Sequence, residues 1–187
     1  QLDAGDASPA RDGGADAGGH VAFAHVATAN VATCAVDTAN RLYCWGSNNS
    51  GRLAQGQGTD ENVLAPKQVA VDLSAGVRYF SGAGASFHLT LDDGTALCWG
   101  ICPHAYVVND PYPSPVVWTP EVVPDVDDAL LVDAGNFHAC SVFSDQKVRC
   151  WGSNFYGAIG RGTNTFVDEV FVLDALGSVF ELAVGAF

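Results

Sequence analysis

Four residues near the middle of the sequence could hold a metal ion or carry redox chemistry. Cys98 and Cys102 are four positions apart, His104 follows Cys102, and His88 lies ten residues before Cys98. Thiolate and imidazole are preferred zinc ligands, although Cys-x3-Cys-x-His is not a standard zinc spacing. The two cysteines could also form a redox couple, since Cys-Trp-Gly-Ile-Cys loosely resembles a Cys-x-x-Cys motif. The simplest interpretation is a local Cys98–Cys102 disulfide, because the number of cysteines is even.

The other four cysteines form two pairs with one spacing. Cys34 and Cys44 are ten residues apart, and so are Cys140 and Cys150. Each pair brackets a turn, so a symmetric hairpin would place its cysteines opposite each other, with Cα atoms about 4.5–5.5 Å apart. That distance suits a disulfide, and we predict Cys34–Cys44 and Cys140–Cys150. Because disulfides persist in oxidising compartments, this predicts an extracellular or cell-envelope location.

A repeat of about fifty residues organises these cysteines. The tripeptide Cys-Trp-Gly begins at Cys44, Cys98 and Cys150, and Ser-Asn-x-x-Gly follows its first and third copies. Short apolar runs between turn residues predict strands rather than helices. The predicted strands cover residues 31–36, 41–45, 77–81, 87–91, 95–99, 129–133, 138–143, 147–151, 169–173 and 178–184. Regularly spaced strands of this kind predict antiparallel four-stranded units, as in a propeller.

The repeat resembles the regulator of chromosome condensation repeat, because Trp-Gly-Ser-Asn-x-x-Gly occurs twice in full. The resemblance covers residues 21–187 and extends to a superfamily that includes the propeller-type β-lactamase inhibitory protein. It implies a seven-bladed β-propeller in which two blades share each repeat. About three repeats cannot close such a ring. We therefore expect an all-β, incomplete propeller of antiparallel four-stranded blades, belonging to a fragment of a secreted bacterial protein.

Composition divides the chain into two regions. Residues 1–20 are mostly Ala, Gly and Asp, without aromatic or β-branched residues, which predicts a disordered linker. We assign residues 21–187 to the partial propeller, with repeat cores at about 21–75, 76–127 and 128–178 and the start of a fourth at 179–187. The linker is similar to those after the lipid-anchor site of some bacterial envelope proteins. A lipid anchor upstream of residue 1 is therefore one expectation for this chain, which has no Met.

The charge of the chain argues against two classes of partner. It has 8 Lys and Arg against 21 Asp and Glu, a formal net charge of −13. Binding to nucleic acid or to anionic lipid needs clustered cations, which are absent from this sequence. The sequence also lacks an apolar run long enough for a transmembrane helix.

The aromatic residues suggest a core and a binding surface. Trp45, Trp99 and Trp151 share one repeat position and are interpreted as repeat core between blades. Segment 101–119 replaces the usual loop after Trp-Gly and is rich in proline and aromatic residues. Proline-stiffened aromatic loops suit partner binding, so Tyr106, Tyr112 and Trp118 are candidate contacts. A divergent packing loop is the equal alternative.

These observations predict a non-catalytic binding scaffold rather than an enzyme, with no cofactor. Its rim loops would recognise a protein or a glycan, since no catalytic constellation is recognisable in the sequence. Three alternatives remain open. They are an enzyme with its site in missing repeats, a metal or redox site at Cys98–His104, and the guanine-nucleotide exchange factor that the resemblance implies.

Overall fold

The computed structural model describes residues 21–57, 62–105, 116–164, 167–174 and 176–185. Within these ranges the chain forms three antiparallel sheets of four strands, which we call the first, second and third blade. The first blade consists of β1 Phe23–Ala29, β2 Ala32–Asp37, β3 Leu42–Gly46 and β4 Val63–Gln68. The second consists of β5 Val77–Ala83, β6 Ser86–Leu91, β7 Ala96–Gly100 and β8 Val117–Val122. The third consists of β9 Ala129–Ala134, β10 His138–Phe143, β11 Val148–Gly152 and β12 Val167–Val172.

The three blades confirm the all-β, four-stranded propeller architecture. Consecutive strands pair in each blade, so every blade is a simple meander. The innermost strands β1, β5 and β9 contact each other in that order, and the three blades of the described chain do not close a ring. One apolar core runs through all three blades. Short 3-10 turns at Asn49–Gly51 and Pro103–Ala105 follow the Trp-Gly pairs of the first two blades.

Nine of the predicted strands are present, one of them with the predicted bounds (β10) and eight with shifted ends, and three further strands were missed. The missed strands are β1, β4 and β8. Strands β4 and β8 are the outer edges of their sheets and contain Pro66 and Pro120. Proline lowers the strand signal of a sequence, but an edge strand tolerates it, because one side of its backbone has no ladder to complete.

The strand predicted at 178–184 is wrong. This segment has no strand pairing and lies against the third blade. The Val179 amide donates to the Gln146 carbonyl at 3.2 Å, and the Val184 amide donates to Asp133 Oδ2 at 2.9 Å. Its alternating apolar residues predicted a strand, but a strand also needs a hydrogen-bonded neighbour. None is present for it in the described part of the chain.

The glycine of each Cys-Trp-Gly copy ends a hairpin at a close backbone approach. Gly46, Gly100 and Gly152 have φ of 107°, 91° and 99°, a region that L side chains rarely adopt. A Cβ on any of them would collide with a carbonyl oxygen at the start of the same hairpin. In each blade that oxygen accepts a hydrogen bond from the residue after the glycine, at 2.8–3.0 Å. The repeated glycine is therefore a structural requirement of the hairpin.

Candidate functional site

The hairpin of each blade positions the cysteines by strand register. Cys34 lies opposite Cys44, and Cys140 lies opposite Cys150. Both pairs form disulfides with Cα atoms 4.1 Å apart. These are the two cross-strand bonds that the spacing of ten residues predicts.

The second blade has a different bond at the same place. His88 lies opposite Cys98 in the register of β6 and β7, so it takes the position of Cys34 and Cys140. Cys98 is bonded instead to Cys102, with Cα atoms 6.1 Å apart. With this bond all six cysteines are in disulfides.

Cys102 replaces a loop asparagine of the other two blades. Counted from Cys-Trp-Gly, the position of Cys102 is that of Asn48 and Asn154. Both asparagines are buried, and their Oδ1 atoms accept the amides of Leu53 and Ile159 at 2.9 and 3.0 Å. The side chain at this position therefore anchors the loop by hydrogen bonds in two blades and by a covalent bond in the second.

The His88 imidazole is completely buried beside this disulfide. Its Nε2 is 3.1 Å from Ser86 Oγ and 3.6 Å from Cys98 Sγ. Its Nδ1 has no hydrogen-bond partner within the described residues. Burial, reinforced by the nearby His104, lowers the pKa of His88 to about 3, so the ring is neutral at physiological pH.

His104 completes a cluster of donor atoms. It lies on the 3-10 turn Pro103–Ala105, two residues after Cys102, and is partly buried. Donor atoms of Cys98, Cys102 and His104 all lie within 4.8 Å of one another. Burial lowers the pKa of His104, and its Nδ1 has no partner in the described part of the chain. The structure therefore brings together three of the four candidate metal ligands that the sequence suggested, and it places the fourth, His88, beside Cys98.

The three repeat tryptophans differ in burial. Trp99 is fully buried and stacks on Phe87 at 5.5 Å between ring centroids, with Phe80 at 5.8 Å. Its Nε1 donates to the Arg52 carbonyl at 2.9 Å and so joins the second blade to the loop of the first. Trp151 is buried, and Trp45 is partly exposed. The position therefore contributes to the core most completely in the second blade.

The candidate partner contacts are only partly described. Tyr106 and Tyr112 lie outside the described residues, and Trp118 is a half-buried residue of β8 rather than of a loop. The sequence analysis did not single out Phe155 and Tyr156, which are 63% and 88% exposed in the loop after β11. The equivalent loops of the first and second blades contact β8 and β11 of the next blade. No following blade is present beside Phe155 and Tyr156 among the described residues.

An acidic depression lies beside the third blade, and two of its four carboxylates have side-chain partners. It is lined by Asp125, Asp127, Asp128, Phe143, Asp145 and Arg149. Arg149 pairs with Asp145 at 2.7 Å and lies over the Phe143 ring at 4.0 Å. Asp128 accepts a hydrogen bond from the Ser144 hydroxyl. These contacts tie Asp145 and Asp128 into a loop network.

Comparison with known proteins identifies the repeat. Models of the regulator of chromosome condensation (RCC1) repeat match residues 40–88 and 131–158. The first match begins in the hairpin turn of the first blade and ends in β6 of the second, so one repeat is shared by two blades. Protein pim1 of Schizosaccharomyces pombe is 28% identical in an alignment 145 positions long, which covers 70% of this chain and 27% of pim1.

Solved structures are similar in fold. Human WBSCR16 matches with a TM-score of 0.73 at 20% identity, covering 90% of this chain and 43% of that one. Prp20p of Saccharomyces cerevisiae, described with its binding properties to Gsp1p and histones, matches with a TM-score of 0.65 at 18% identity. That match covers 81% of this chain and 38% of Prp20p. The chain thus spans less than half the length of each of these proteins.

Proposed function

Because this chain is built from regulator of chromosome condensation repeats, we propose that it is a non-catalytic scaffold that binds a protein partner outside the cytoplasm. The contact surface consists of the loops that follow each Trp-Gly pair. A propeller fold alone does not specify a function, which depends on the side chains that its loops present. The proposal therefore concerns these loops rather than the sheets.

The observation that carries the proposal is a constant framework with variable loops. Every blade has the same hairpin, the same positive-φ glycine and the same hydrogen bond after it. The fifth and sixth residues after the cysteine of each Cys-Trp-Gly copy differ between the blades. They are Asn49-Ser50, Pro103-His104 and Phe155-Tyr156. Rigid frameworks that carry variable loops are a common arrangement for recognition, because little ordering entropy is lost on binding.

The chemistry of these loops favours a protein over a glycan. Aromatic side chains, among them Tyr106, Tyr112 and Tyr156 in these loops, supply large contact areas at protein interfaces. The structurally similar Prp20p is described with its binding to proteins, Gsp1p and histones. A net charge of −13 favours a partner with a basic surface, through electrostatic steering.

The proposed location is supported by the cysteines. All six are in disulfides, and bonds of this kind are rare in reducing compartments. Differential alkylation of the protein in its source cells measures this directly. Protection of all six thiols supports the location, and free thiols in the native protein contradict it.

A binding experiment tests the loops. A photo-crosslinking residue at position 156 is used to capture partners from the medium and envelope fraction, and each is then tested as a purified protein. Tyr112→Ala and Tyr156→Ala are expected to weaken binding by roughly tenfold or more, as for aromatic interface residues. Val122→Ala is the matched control, because this exposed residue lies at the opposite end of β8 from the loops. Equal weakening by Val122→Ala, or no weakening by either loop variant, would contradict the proposal.

A second candidate function is the exchange-factor-like regulator. The similarity to Protein pim1 and Prp20p favours it. It would operate in a reducing compartment, so the alkylation measurement separates the two candidates: free thiols favour the regulator, and blocked thiols favour the external scaffold.

A further inference from the structure

We propose that reduction of the Cys98–Cys102 disulfide turns the buried cluster of the second blade into a zinc site. The ligands are the thiolates of Cys98 and Cys102 and the imidazoles of His104 and His88. This inference goes beyond the proposed scaffold function and does not depend on it, since it concerns the interior of one blade.

The distances between the donor atoms suit a tetrahedral ion. With Zn–S near 2.3 Å and Zn–N near 2.0–2.1 Å, tetrahedral ligands have S···N separations of about 3.5 Å and S···S separations of about 3.8 Å. His88 Nε2 already lies 3.6 Å from Cys98 Sγ. Donor atoms of Cys98, Cys102 and His104 lie within 4.8 Å of one another. Binding of the ion therefore requires the disulfide to open and the His88 ring, which lies outside this group of three, to move toward it.

The burial and chemistry of the donors favour zinc. Cys98, Cys102 and His88 are fully buried, which suits a closed four-coordinate site. Two sulfur and two nitrogen donors without carboxylate select zinc over magnesium or calcium. His88 and His104 each have a buried Nδ1 without a partner within the described residues. Each ring thus keeps one nitrogen that the protein does not bond, so the cluster offers donors that the described part of the chain does not use.

The other blades provide an internal comparison. Where the second blade has His88, Cys102 and His104, the first has Cys34, Asn48 and Ser50 and the third has Cys140, Asn154 and Tyr156. A cross-strand disulfide like those of the other two blades would need only a cysteine in place of His88. Instead, three positions around Cys98 differ together, and each carries a soft or borderline metal donor. The second blade thus holds a complete set of four ligands that neither neighbouring blade has at these positions.

The redox step balances with a dithiol as reductant. One thiolate of the dithiol attacks a sulfur of the Cys98–Cys102 bond, and its second thiolate resolves the mixed disulfide. Two electrons pass to the protein, which gains two thiols, while the reductant becomes a disulfide. Binding of Zn²⁺ then displaces the two thiol protons, and the two thiolates balance the charge of the ion.

Cobalt(II) and zinc(II) are the probes for the experiment. The chain is titrated with each ion before and after treatment with a phosphine, which reduces a disulfide by taking up the oxygen of water and offers no thiol of its own. The reduced chain is expected to bind one equivalent of Co²⁺, with the absorption of a tetrahedral thiolate site, and Zn²⁺ is expected to displace it. The oxidised chain is expected to show no such absorption.

Two variants separate this site from nonspecific thiol binding. H88C/C102N keeps six cysteines but gives the second blade the pattern of its neighbours, and it is expected to lose the tetrahedral cobalt signal. His104→Ala, a partly buried site with little folding cost, is expected to weaken zinc binding by roughly tenfold or more, since even outer-shell losses cost ~10–100-fold. His25→Ala, a partly buried residue of the first blade, is the matched control and is expected to bind like the parent chain.

Three results would overturn the proposal. They are a reduced chain that keeps its near-ultraviolet circular dichroism yet binds no Co²⁺, an unchanged signal in H88C/C102N, and unchanged affinity in His104→Ala. If reduction itself abolishes the circular dichroism signal, zinc is expected to restore it in the parent chain and not in H88C/C102N. Failure of zinc to restore it would count equally against the site.

Discussion

The second blade and its two neighbours have the same hairpin but anchor it in different ways. In the first and third blades a disulfide joins the two strands of the hairpin, and an asparagine holds the following loop. In the second blade the disulfide joins the hairpin to the loop, and a histidine fills the vacated strand position. The blade therefore keeps one covalent bond and transfers it from the strand pair to the loop.

The two exchanges compensate each other. Cys98 can form only one disulfide. A cysteine at loop position 102 can therefore bond to it only when strand position 88 holds no cysteine that is already bonded to it. His88 then fills the volume beside the bond as a neutral, buried ring. The comparison shows that the hairpin can form with either way of placing the disulfide. The cluster of potential metal ligands in the second blade arises because its disulfide joins the hairpin to the loop and a histidine occupies position 88.

The largest expected difference between the blades concerns their tryptophans. Trp99→Ala is expected to lower the free energy of unfolding by about 3–5 kcal/mol, because it empties a fully buried site between Phe80 and Phe87. Trp45→Ala is expected to cost about half as much or less, since Trp45 is partly exposed. Urea denaturation of the oxidised variants measures both. Equal costs would show that the tryptophan position is equivalent in the first two blades.

Acid is expected to destabilise the chain through the second blade. The pKa of His88 is about 3 in the folded state and near its usual 6.5 when unfolded. Only the unfolded chain takes up this proton between those values, so stability is full above pH 6.5 and falls as the pH drops toward 3. The expected slope is up to about 1.4 kcal/mol per pH unit.

The same variant that removes the metal site provides the control for this pH dependence. H88C/C102N lacks the buried ring, whereas His104 and His138, whose pKa values are also lowered by burial, remain. Its stability is expected to fall less steeply below pH 6.5. Identical slopes for parent and variant, measured by urea denaturation across this range, would assign the acid sensitivity elsewhere.

The loop asparagines are expected to have a smaller effect. Asn48→Ala and Asn154→Ala each remove the acceptor of a buried amide, of Leu53 and of Ile159. An unsatisfied buried donor costs about 1–3 kcal/mol. Asn49→Ala, an exposed neighbour, is the control and is expected to stay within about 0.5 kcal/mol of the parent. Thermal unfolding measures all three, and a silent Asn154→Ala would show that the loop is anchored by its other contacts.

The smallest expected change is the net stability of H88C/C102N. Non-reducing peptide mapping is expected to find a bond between positions 88 and 98, because these residues are directly opposed in the sheet. One disulfide replaces another, so the net free energy of unfolding is expected to change by less than about 1 kcal/mol. A persistent free thiol at position 98 would show that the second hairpin cannot accept the bond of its neighbours.

The sequence could predict the hairpins but not their surroundings. Cys-Trp-Gly marks each hairpin because its cysteine and glycine both obey strict backbone geometry, which spacing alone reveals. The outer strands β4 and β8 contain proline and gave no such signal. Segment 178–184 has strand-like alternation, but pairing depends on a neighbour that a local pattern cannot specify.

The sequence could predict which residues form the candidate site but not how their side chains are arranged. Local spacing singled out Cys98, Cys102, His104 and His88. The equivalence of Cys102 with Asn48 and Asn154 could have been read by counting from Cys-Trp-Gly. The position of His88 opposite Cys98 follows from the same spacing of ten residues, whereas its complete burial beside the Cys98–Cys102 bond appears only in the structure. The exposure of Phe155 and Tyr156 depends on which blade lies beside them, which no local pattern encodes.

Every disulfide of this chain lies within a single blade. Blade is joined to blade by apolar contacts and by a few hydrogen bonds, such as Ser81 Oγ to the Val132 carbonyl. Under a pulling force on its two ends, the chain would therefore release its blades one after another without breaking a covalent bond. The ten residues enclosed by each of the two hairpin disulfides could not extend while that bond is intact. Each closed bond would thus shorten the stretched chain by about 35 Å, at ~3.5 Å per residue. The extension at full stretch would thus report which bonds are closed, and a chain with a reduced pair would be longer by that step.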